Sequence, residues 1–317
     1  MSRFLSLTSS LILLLSTLPV MAVTMNGFKL DKATVPVREI HAGGPPRDGI
    51  PPIDKPRFDA ADEADWLKDG DYVMGVVHNN VAKAYPIRVL VWHEIVNDEL
   101  NGAPLTVTYC PLCGSGVVFD RRQADKVLDF GVSGLLYNSD MLLYDRQTES
   151  LWSQIPGKAI SGPLSGHTLT RMPVSHTTWG DWREAHPDSL VLNRKTGHKR
   201  DYDVDPYEGY ERNYSLYFPV SERDRRYHPK ELVLALAGEE GKAKAWPFAE
   251  LAETDGMVQD TFAGEPVVIR YDDRLQVARA YNAEGQQLPA TTLFWFAWYT
   301  FYPFTEVFTA EQGAGEK

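Results

Sequence analysis

Ala82-Lys83-Ala84-Tyr85-Pro86 returns later in the chain as Ala243-Lys244-Ala245-Trp246-Pro247. After a one-residue gap, Asp98, Gly102, Pro104, Val107 and Tyr109 find counterparts in Asp260, Gly264, Pro266, Ile269 and Tyr271, and Phe119-Asp120 falls opposite Tyr281-Asn282. A repeat of this kind sets the architecture before any single segment is read, because each copy has to fold into the same unit. So many landmarks in the same order are hard to obtain by chance. The chain therefore reads as an internal duplication that builds two related lobes.

Each copy follows one pattern. A strand (Tyr72–Val77 in the first, Leu232–Ala237 in the second) leads to another that ends at the Tyr-Pro or Trp-Pro. Proline at the first turn of a helix gives up no hydrogen bond, so a short helix is expected next. In the first copy Val89, Leu90, Ile95 and Val96 predict its apolar face, from about Ile87 to Leu100, with Asn101-Gly102 as a left-handed cap. Leu105–Tyr109 then alternates as a strand does. The region from about 116 to 200 is expected to be mostly β, through Val117–Phe119, Val127–Phe130, Met141–Tyr144 and Leu169–Val174. One helix interrupts it, opened by Thr178-Trp179-Gly180-Asp181 and closed by His186-Pro187.

The expected fold is α+β, mostly β, with short helices packed on small sheets in two related lobes. Residues 23–58 are an extended Pro/Gly-rich arm and 59–227 the first lobe. Residues 228–312 are a second, degenerate lobe closed by the buried run Phe294–Tyr299, and 313–317 are a tail.

Residues 1–22 read as a signal peptide: Arg3 is the positive end, Leu11–Leu15 the apolar stretch, and Val20-Met21-Ala22 the small-x-small cleavage site before Val23. Ser16, Thr17 and Pro19 break the apolar run too early for a membrane span, and no second run is long enough. No cysteine stands at the cleavage site to carry a lipid. A periplasmic or secreted protein without a membrane anchor after cleavage is expected. Removing Arg3 adds one negative charge to the formal −11, which argues against nucleic acid and anionic membranes as partners. The substrate, small molecule or protein, is not specified by composition.

Tyr109-Cys110-Pro111-Leu112-Cys113-Gly114 holds the only two cysteines in the chain. In an exported protein such a pair is a metal clamp, a redox couple or a small structural disulfide. The second copy works as an internal control: it has Asp272 and Leu275 opposite the cysteines and Thr254 opposite His93. Both cysteines and the histidine are therefore particular to the first copy. The Cys-Pro-x-Cys-Gly turn aims two sulfurs at one point, with Gly114 free to take positive φ. Zinc ribbons complete such a turn with a second cysteine pair, which is absent here. A metal would then take His93, Cys110 and Cys113, with Asp140, His176 or water in the fourth position. Thiolates favour copper, zinc or iron.

A thiol–disulfide oxidoreductase is the second reading, although Gly114-Ser115-Gly116-Val117-Val118-Phe119 reads as turn and strand where thioredoxin-like proteins have helix. A non-catalytic binding module with a structural disulfide is the third.

Tyr137-Asn138-Ser139-Asp140 and Tyr144–Trp152 form a second polar and aromatic constellation. Asp140 and Glu149 are candidate acid and base, and Arg146 a candidate carboxylate binder; a structural ion-pair network is the alternative. Arg200-Asp201-Tyr202 and Asp205-Pro206-Tyr207 read as solvated loop or substrate contact. His78, His198 and His228 read as loop residues and His186 as a helix end. Gly-x-Gly-x-x-Gly, Walker, His-Glu-x-x-His and Gly-x-Ser-x-Gly motifs are all absent, which argues against nucleotide-dependent and serine-hydrolase chemistry. The leading expectation is a periplasmic metalloprotein, a metal-dependent oxidoreductase with Asp140, Arg146 and Glu149 lining its pocket.

Trp92–Asp98, Thr108–Gly114, Phe130–Asp140, Asp145–Gln154 and Arg200-Asp201-Tyr202 together resemble a bacterial family known as domain of unknown function 3179. The resemblance covers roughly 50–310. It implies an exported protein of a single family and names no activity.

Overall fold

Tyr72–His78 (β1) and Val81–Pro86 (β2) pair antiparallel across Asn79-Asn80, whose left-handed backbones (φ 47° and 63°) give the turn that suits strand twist. Pro86 caps a short helix, Ile87–His93 (α1). Ile95–Leu100 (β3), Ala103–Cys110 (β4) and Ser115–Asp120 (β5) follow as an antiparallel meander. This is a computed structural model, and it describes residues 23–30 and 32–313. The expected signal peptide and most of the tail lie outside those residues.

The helix expected to reach Leu100 is therefore half strand. Glu94 turns left-handed and ends α1, and Asn101-Gly102 (φ 48° and 80°) is the turn of the β3–β4 hairpin rather than a helix cap. Asn-Gly is a strong hairpin signal and β-branched Ile95 and Val96 favour strands. Four apolar positions at helical spacing were too few to outweigh both.

Beyond β5 comes a separate sheet: Phe130–Tyr137 (β6), Asp140–Asp145 (β7), Leu151–Ser153 (β8) and Lys158–Ser161 (β9). Ile40–Ala42 pairs along its edge, so the N-terminal arm contributes a strand. Of the short runs expected here, Val127–Phe130 divides between Lys126–Val127 and the start of β6, and Leu169–Val174 supplies only Arg171–Met172. The chain then returns to the first sheet through Ser175–Thr178 (β10), Trp179–Ala185 (α2) and Leu190–Leu192 (β11). Thr178 caps α2 by accepting from Asp181 N, as its sequence predicts.

The later part of the chain repeats this order. Leu232–Ala237 (β12), Ala243–Pro247 (β13), Phe248–Leu251 (α3), Met257–Phe262 (β14), Glu265–Asp272 (β15) and Val277–Tyr281 (β16) lead to Thr291–Phe294 (β17), Trp295–Tyr299 (α4) and Glu306–Val307 (β18). The order β10-β1-β2-β11 in one sheet is matched by β17-β12-β13-β18 in the other, with the last pair parallel in each.

Buried contacts match as well. Lys83 Nζ reaches Asp98 at 2.7 Å and Glu99 O at 2.9 Å, and Tyr85 OH donates to the same carboxylate at 2.7 Å. Lys244 Nζ reaches Asp260 at 2.7 Å and Thr261 O at 3.1 Å, with Trp246 Nε1 donating at 2.8 Å. Trp182 Nε1 donates to Ser189 Oγ at 2.8 Å, and Trp298 Nε1 to Thr305 Oγ1 at 2.9 Å.

The protein is thus mostly β, with a few short helices on small sheets. Its five larger sheets form a ring of five blades, which suggests a propeller. Cys110, Trp152, Val233, Ala245, Phe294 and Trp298 belong to one apolar cluster, so residues on both sides of the expected lobe boundary share a core.

Candidate metal centre

Strands β4 and β5 are joined by the cysteine turn. Cys113 N donates to Cys110 O at 3.1 Å and Gly114 N to Pro111 O at 3.4 Å, while Gly114 takes the left-handed φ of 58° that the spacing predicted. Phe294 N donates to Cys113 O at 2.8 Å, and a Cβ at Gly114 would stand 3.0 Å from the Phe294 ring. A polar lock beneath the turn holds the hairpin: Gln154 Nε2 donates to Thr108 Oγ1 (3.0 Å) and Ser115 O (3.1 Å), and Ser115 Oγ donates to Gln154 Oε1 (2.6 Å).

Asp140 comes from the separate sheet. The turn Asn138-Ser139, left-handed at both residues (φ 54° and 62°), delivers it at the start of β7. One ligand atom from each of Cys110, Cys113 and Asp140 lies within 4.8 Å of the others, and all three residues are buried. Asp140 Oδ2 accepts from Ser153 Oγ at 2.7 Å and Ile155 N at 3.1 Å, but Oδ1 is buried with no hydrogen-bond partner.

Burial pushes the Asp140 carboxyl up to about 7, against the pull of those two donors. It pushes Cys113 well above the ordinary thiol range, helped by its contact with Cys110 and by Asp140 and Glu94. Both thiols are free, and Cys113 Sγ donates to Ser139 O at 3.3 Å. Arg171 is the cation acting on Asp140; its guanidinium is anchored to Thr291 Oγ1 at 3.0 Å and to Ile155 O.

Glu94 is the site residue that the sequence reading missed. It is 7% exposed, its carboxylate makes no hydrogen bond within the described residues, and burial raises it to about 8. Tyr109 N donates to Glu94 O at 2.8 Å, as Tyr271 N does to Gly256 O at 2.8 Å. The residue opposite Glu94 is therefore Gly256, which takes φ 86° without strain, and Asp255 rather than Thr254 stands opposite His93. A glutamate held at φ 58° costs roughly 1–2 kcal/mol that its counterpart avoids. That contrast was the available signal, hidden by a one-residue error in register.

Residues 193–231 join β11 to β12 with only a 3-10 turn at Tyr210–Arg212. Connections of this length within a compact domain usually serve function. This strap is tied down by Ser139 Oγ donating to Phe218 O (2.8 Å), Ser221 N to Asn138 Oδ1 (2.8 Å) and Lys230 Nζ to Ser215 O (2.8 Å). Tyr210, 4% exposed, packs in the same cluster as both cysteines, and its hydroxyl is buried without a partner. Burial raises the Tyr207 and Tyr210 phenols; Glu94 and Cys110 add to the first, Cys113 and Cys110 to the second.

The other expected site residues go elsewhere. His93 is buried, with Nδ1 bonded to Pro51 O at 2.7 Å and Nε2 to Tyr202 OH at 2.7 Å. A carbonyl only accepts, so Nδ1 carries the proton and the Nε2 lone pair takes the Tyr202 hydroxyl. Burial pushes this ring down to about 4, so it stays neutral. The geometry sets Asp140, not His93, beside the sulfurs. His176 bonds Gly116 O at 3.0 Å.

Arg146 pairs with Asp54 at 2.9 Å and Glu149 with Arg47 at 2.8 Å, both on the surface and neither joined to Asp140. The rest of their motif is structural: Asp145 accepts from Thr148 Oγ1 at 2.8 Å and Trp152 Nε1 at 2.9 Å. Tyr202 serves His93, and Asp205 accepts from Tyr207 N at 2.8 Å to shape the strap.

No curated protein and no solved structure matches the chain. One family model does, over residues 47–288, a span that holds the cysteine turn, Asp140, Glu94 and the strap. On that match the chain belongs to the family described as "Protein of unknown function (DUF3179)".

Proposed function

We propose that the protein is an exported metalloprotein whose centre is built by Cys110, Cys113 and Asp140, and that this centre supports redox-type enzymatic chemistry. The observation that carries the reading is the buried cluster of three acidic ligands with Asp140 Oδ1 left unpartnered. Leaving such an atom dry costs about 1–3 kcal/mol, which a bound cation removes.

Charge favours a divalent ion. Two thiolates and one carboxylate carry three negative charges, and Arg171 supplies one positive charge beside them. Zinc or iron(II) brings the sum to neutrality, whereas copper(I) leaves it negative; iron is the ion that adds electron transfer. Three protein ligands and an open position are the usual form of a catalytic site.

The thiol–disulfide reading is less well supported. An exchanging cysteine needs an exposed, acidified sulfur, and here both residues are buried while Cys113 is shifted the other way. Export rests on the N-terminal sequence, and no helix among the described residues is long and apolar enough to cross a membrane. The matched strand order and buried contacts support an internal duplication in which the second unit serves as scaffold.

The test is metal content of mature protein purified without chelators. About one zinc or iron per chain, lost in Cys110→Ser/Cys113→Ser and reduced in Asp140→Asn, is expected. Metal-free protein that also takes up no zinc or iron(II) when these are offered would overturn the reading.

A further inference from the structure

The cysteine turn has a twin. Residues 273–276 join β15 to β16 as 111–114 join β4 to β5. Gln276 N donates to Asp273 O at 3.3 Å where Gly114 N donates to Pro111 O at 3.4 Å, and both residues are left-handed, at φ 52° and 58°. Each turn faces the Trp-x-x-Trp helix that lies in the other half of the chain. The cysteine turn meets the start of α4 through Phe294 N on Cys113 O, and beside it Arg171 reaches Thr291 Oγ1 at 3.0 Å. At the second turn Tyr72 OH donates to Leu275 O at 2.9 Å, and ahead of α2 Ser175 Oγ donates to Gln287 Oε1 at 3.2 Å.

The two junctions differ in what covers them. At the first, Tyr210 of the strap packs on Phe294 with ring centroids 6.4 Å apart. At the second, Thr178 precedes the helix where Phe294 precedes α4, neither the strap nor the separate sheet has a match, and a cavity of about 450 Å³ is left. Five charged side chains line it. Asp69 holds Arg183 at 2.8 Å and Asp181 holds Arg279 at 2.6 Å, so these charges cancel in place. Glu184 and Arg274 make no ion pair or hydrogen bond among the described residues, which leaves one anion and one cation facing the same space. A ligand of a single charge is matched at one end only, whereas a zwitterion satisfies both.

We propose that this cavity is a second site, and that it binds a small peptide-like zwitterion with its carboxylate on Arg274 and its ammonium group on Glu184. A space of this size lies within the range of small-molecule sites and has room for a dipeptide. The planar guanidinium matches a carboxylate with two parallel hydrogen bonds, and an ammonium group offers Glu184 the donors it lacks. The site stands apart from Cys110, Cys113 and Asp140 and does not rest on the metal reading.

Alanylalanine is the probe, titrated calorimetrically into the mature protein at neutral pH beside its N-acetyl form, which lacks the ammonium group, and its C-terminal amide, which lacks the carboxylate. The zwitterion is expected to bind about fivefold or more tighter than either blocked form, the worth of one well-aligned surface ion pair. Arg274→Gln should weaken alanylalanine by a similar factor and leave the amide unchanged. Glu184→Gln should weaken alanylalanine likewise and leave the N-acetyl form unchanged or tighter. Both residues are exposed, so neither change disturbs the core. Leu275→Trp, which fills the cavity from its wall, should abolish binding of all three. No heat of binding at millimolar alanylalanine, equal affinity for the three probes, or wild-type affinity in both charge variants would overturn the inference.

Discussion

Loading a divalent ion onto Cys110, Cys113 and Asp140 must expel the protons that these groups hold. In the metal-free protein Asp140 titrates at about 7 and Cys113 well above the thiol range, both because burial disfavours their charge. Below pH 7 Asp140 and Cys113 therefore each give up a proton for each ion bound, and above it Asp140 no longer does. Each released proton multiplies the apparent association constant by about ten per pH unit, or about 1.4 kcal/mol. Affinity for zinc is therefore expected to climb about tenfold per unit more steeply between pH 5 and 6.5 than between 7.5 and 8.5, with a bend near 7.

Competition with a chromophoric chelator gives the slope, and calorimetry in buffers of different ionisation enthalpy counts the protons directly. Asp140→Asn removes the group that titrates at about 7, so the bend there disappears. A wild-type slope of one or less below pH 6.5 would refute the ligand set. A bend that persists in Asp140→Asn would show that some other group supplies that proton.

Stability of the metal-free protein should respond to four buried groups of opposite sign. Asp140 and Glu94 have raised folded values of about 7 and 8, so their contribution is full below about pH 4 and is lost as pH rises through those values, whereas His93 and His176, lowered to about 4, contribute above about pH 6.5 and lose that as pH falls. Melts should be nearly flat from about pH 4.5 to 6.5 and then fall at up to about 2.7 kcal/mol per unit up to pH 7; a steady rise through neutrality would contradict this. His93→Gln should cost about 2–3 kcal/mol by stranding Pro51 O and Tyr202 OH, yet leave metal stoichiometry intact; loss of the metal at unchanged stability would restore His93 as a ligand. Asp98→Ala should cost about 3–5 kcal/mol in chemical denaturation, because Lys83 is left buried without its partner. Asp260→Ala should cost less, since Lys244 keeps Glu306 at 3.6 Å; equal losses would mean that the pairs are worth less than their burial implies.

What the sequence made legible was whatever a local rule could carry. Pro86, Gly114 and the Thr178 cap each announced a backbone state, and the structure has all three. Asn101-Gly102 also announced one, but it was assigned to a helix end because the two turn types share the same left-handed residues. The blade-like arrangement was not legible, since sheet order depends on pairings such as β2 with β11 across more than a hundred residues. The matched strand order was read only through its first half. Trp179 and Trp182 match Trp295 and Trp298, but the separate sheet between β5 and β10 pushes the first pair out of register.

The same sheet explains why the ligand set could not be completed from sequence. His93 precedes β3 and looked adjacent to Cys110 along the chain, but the lone pair it would offer is spent on Tyr202. Asp140 lies in a sheet, and Tyr210 in a strap, that have no match in the strand order of residues 232–307. The cluster of Cys110, Cys113 and Asp140 forms where this sheet and the strap meet the cysteine turn, and Ser139 links them, accepting from Cys113 through its carbonyl and holding Phe218 through its hydroxyl. Glu94, like the cysteine turn, has a counterpart in the later part of the chain, where Gly256 takes the left-handed backbone that a buried glutamate takes here.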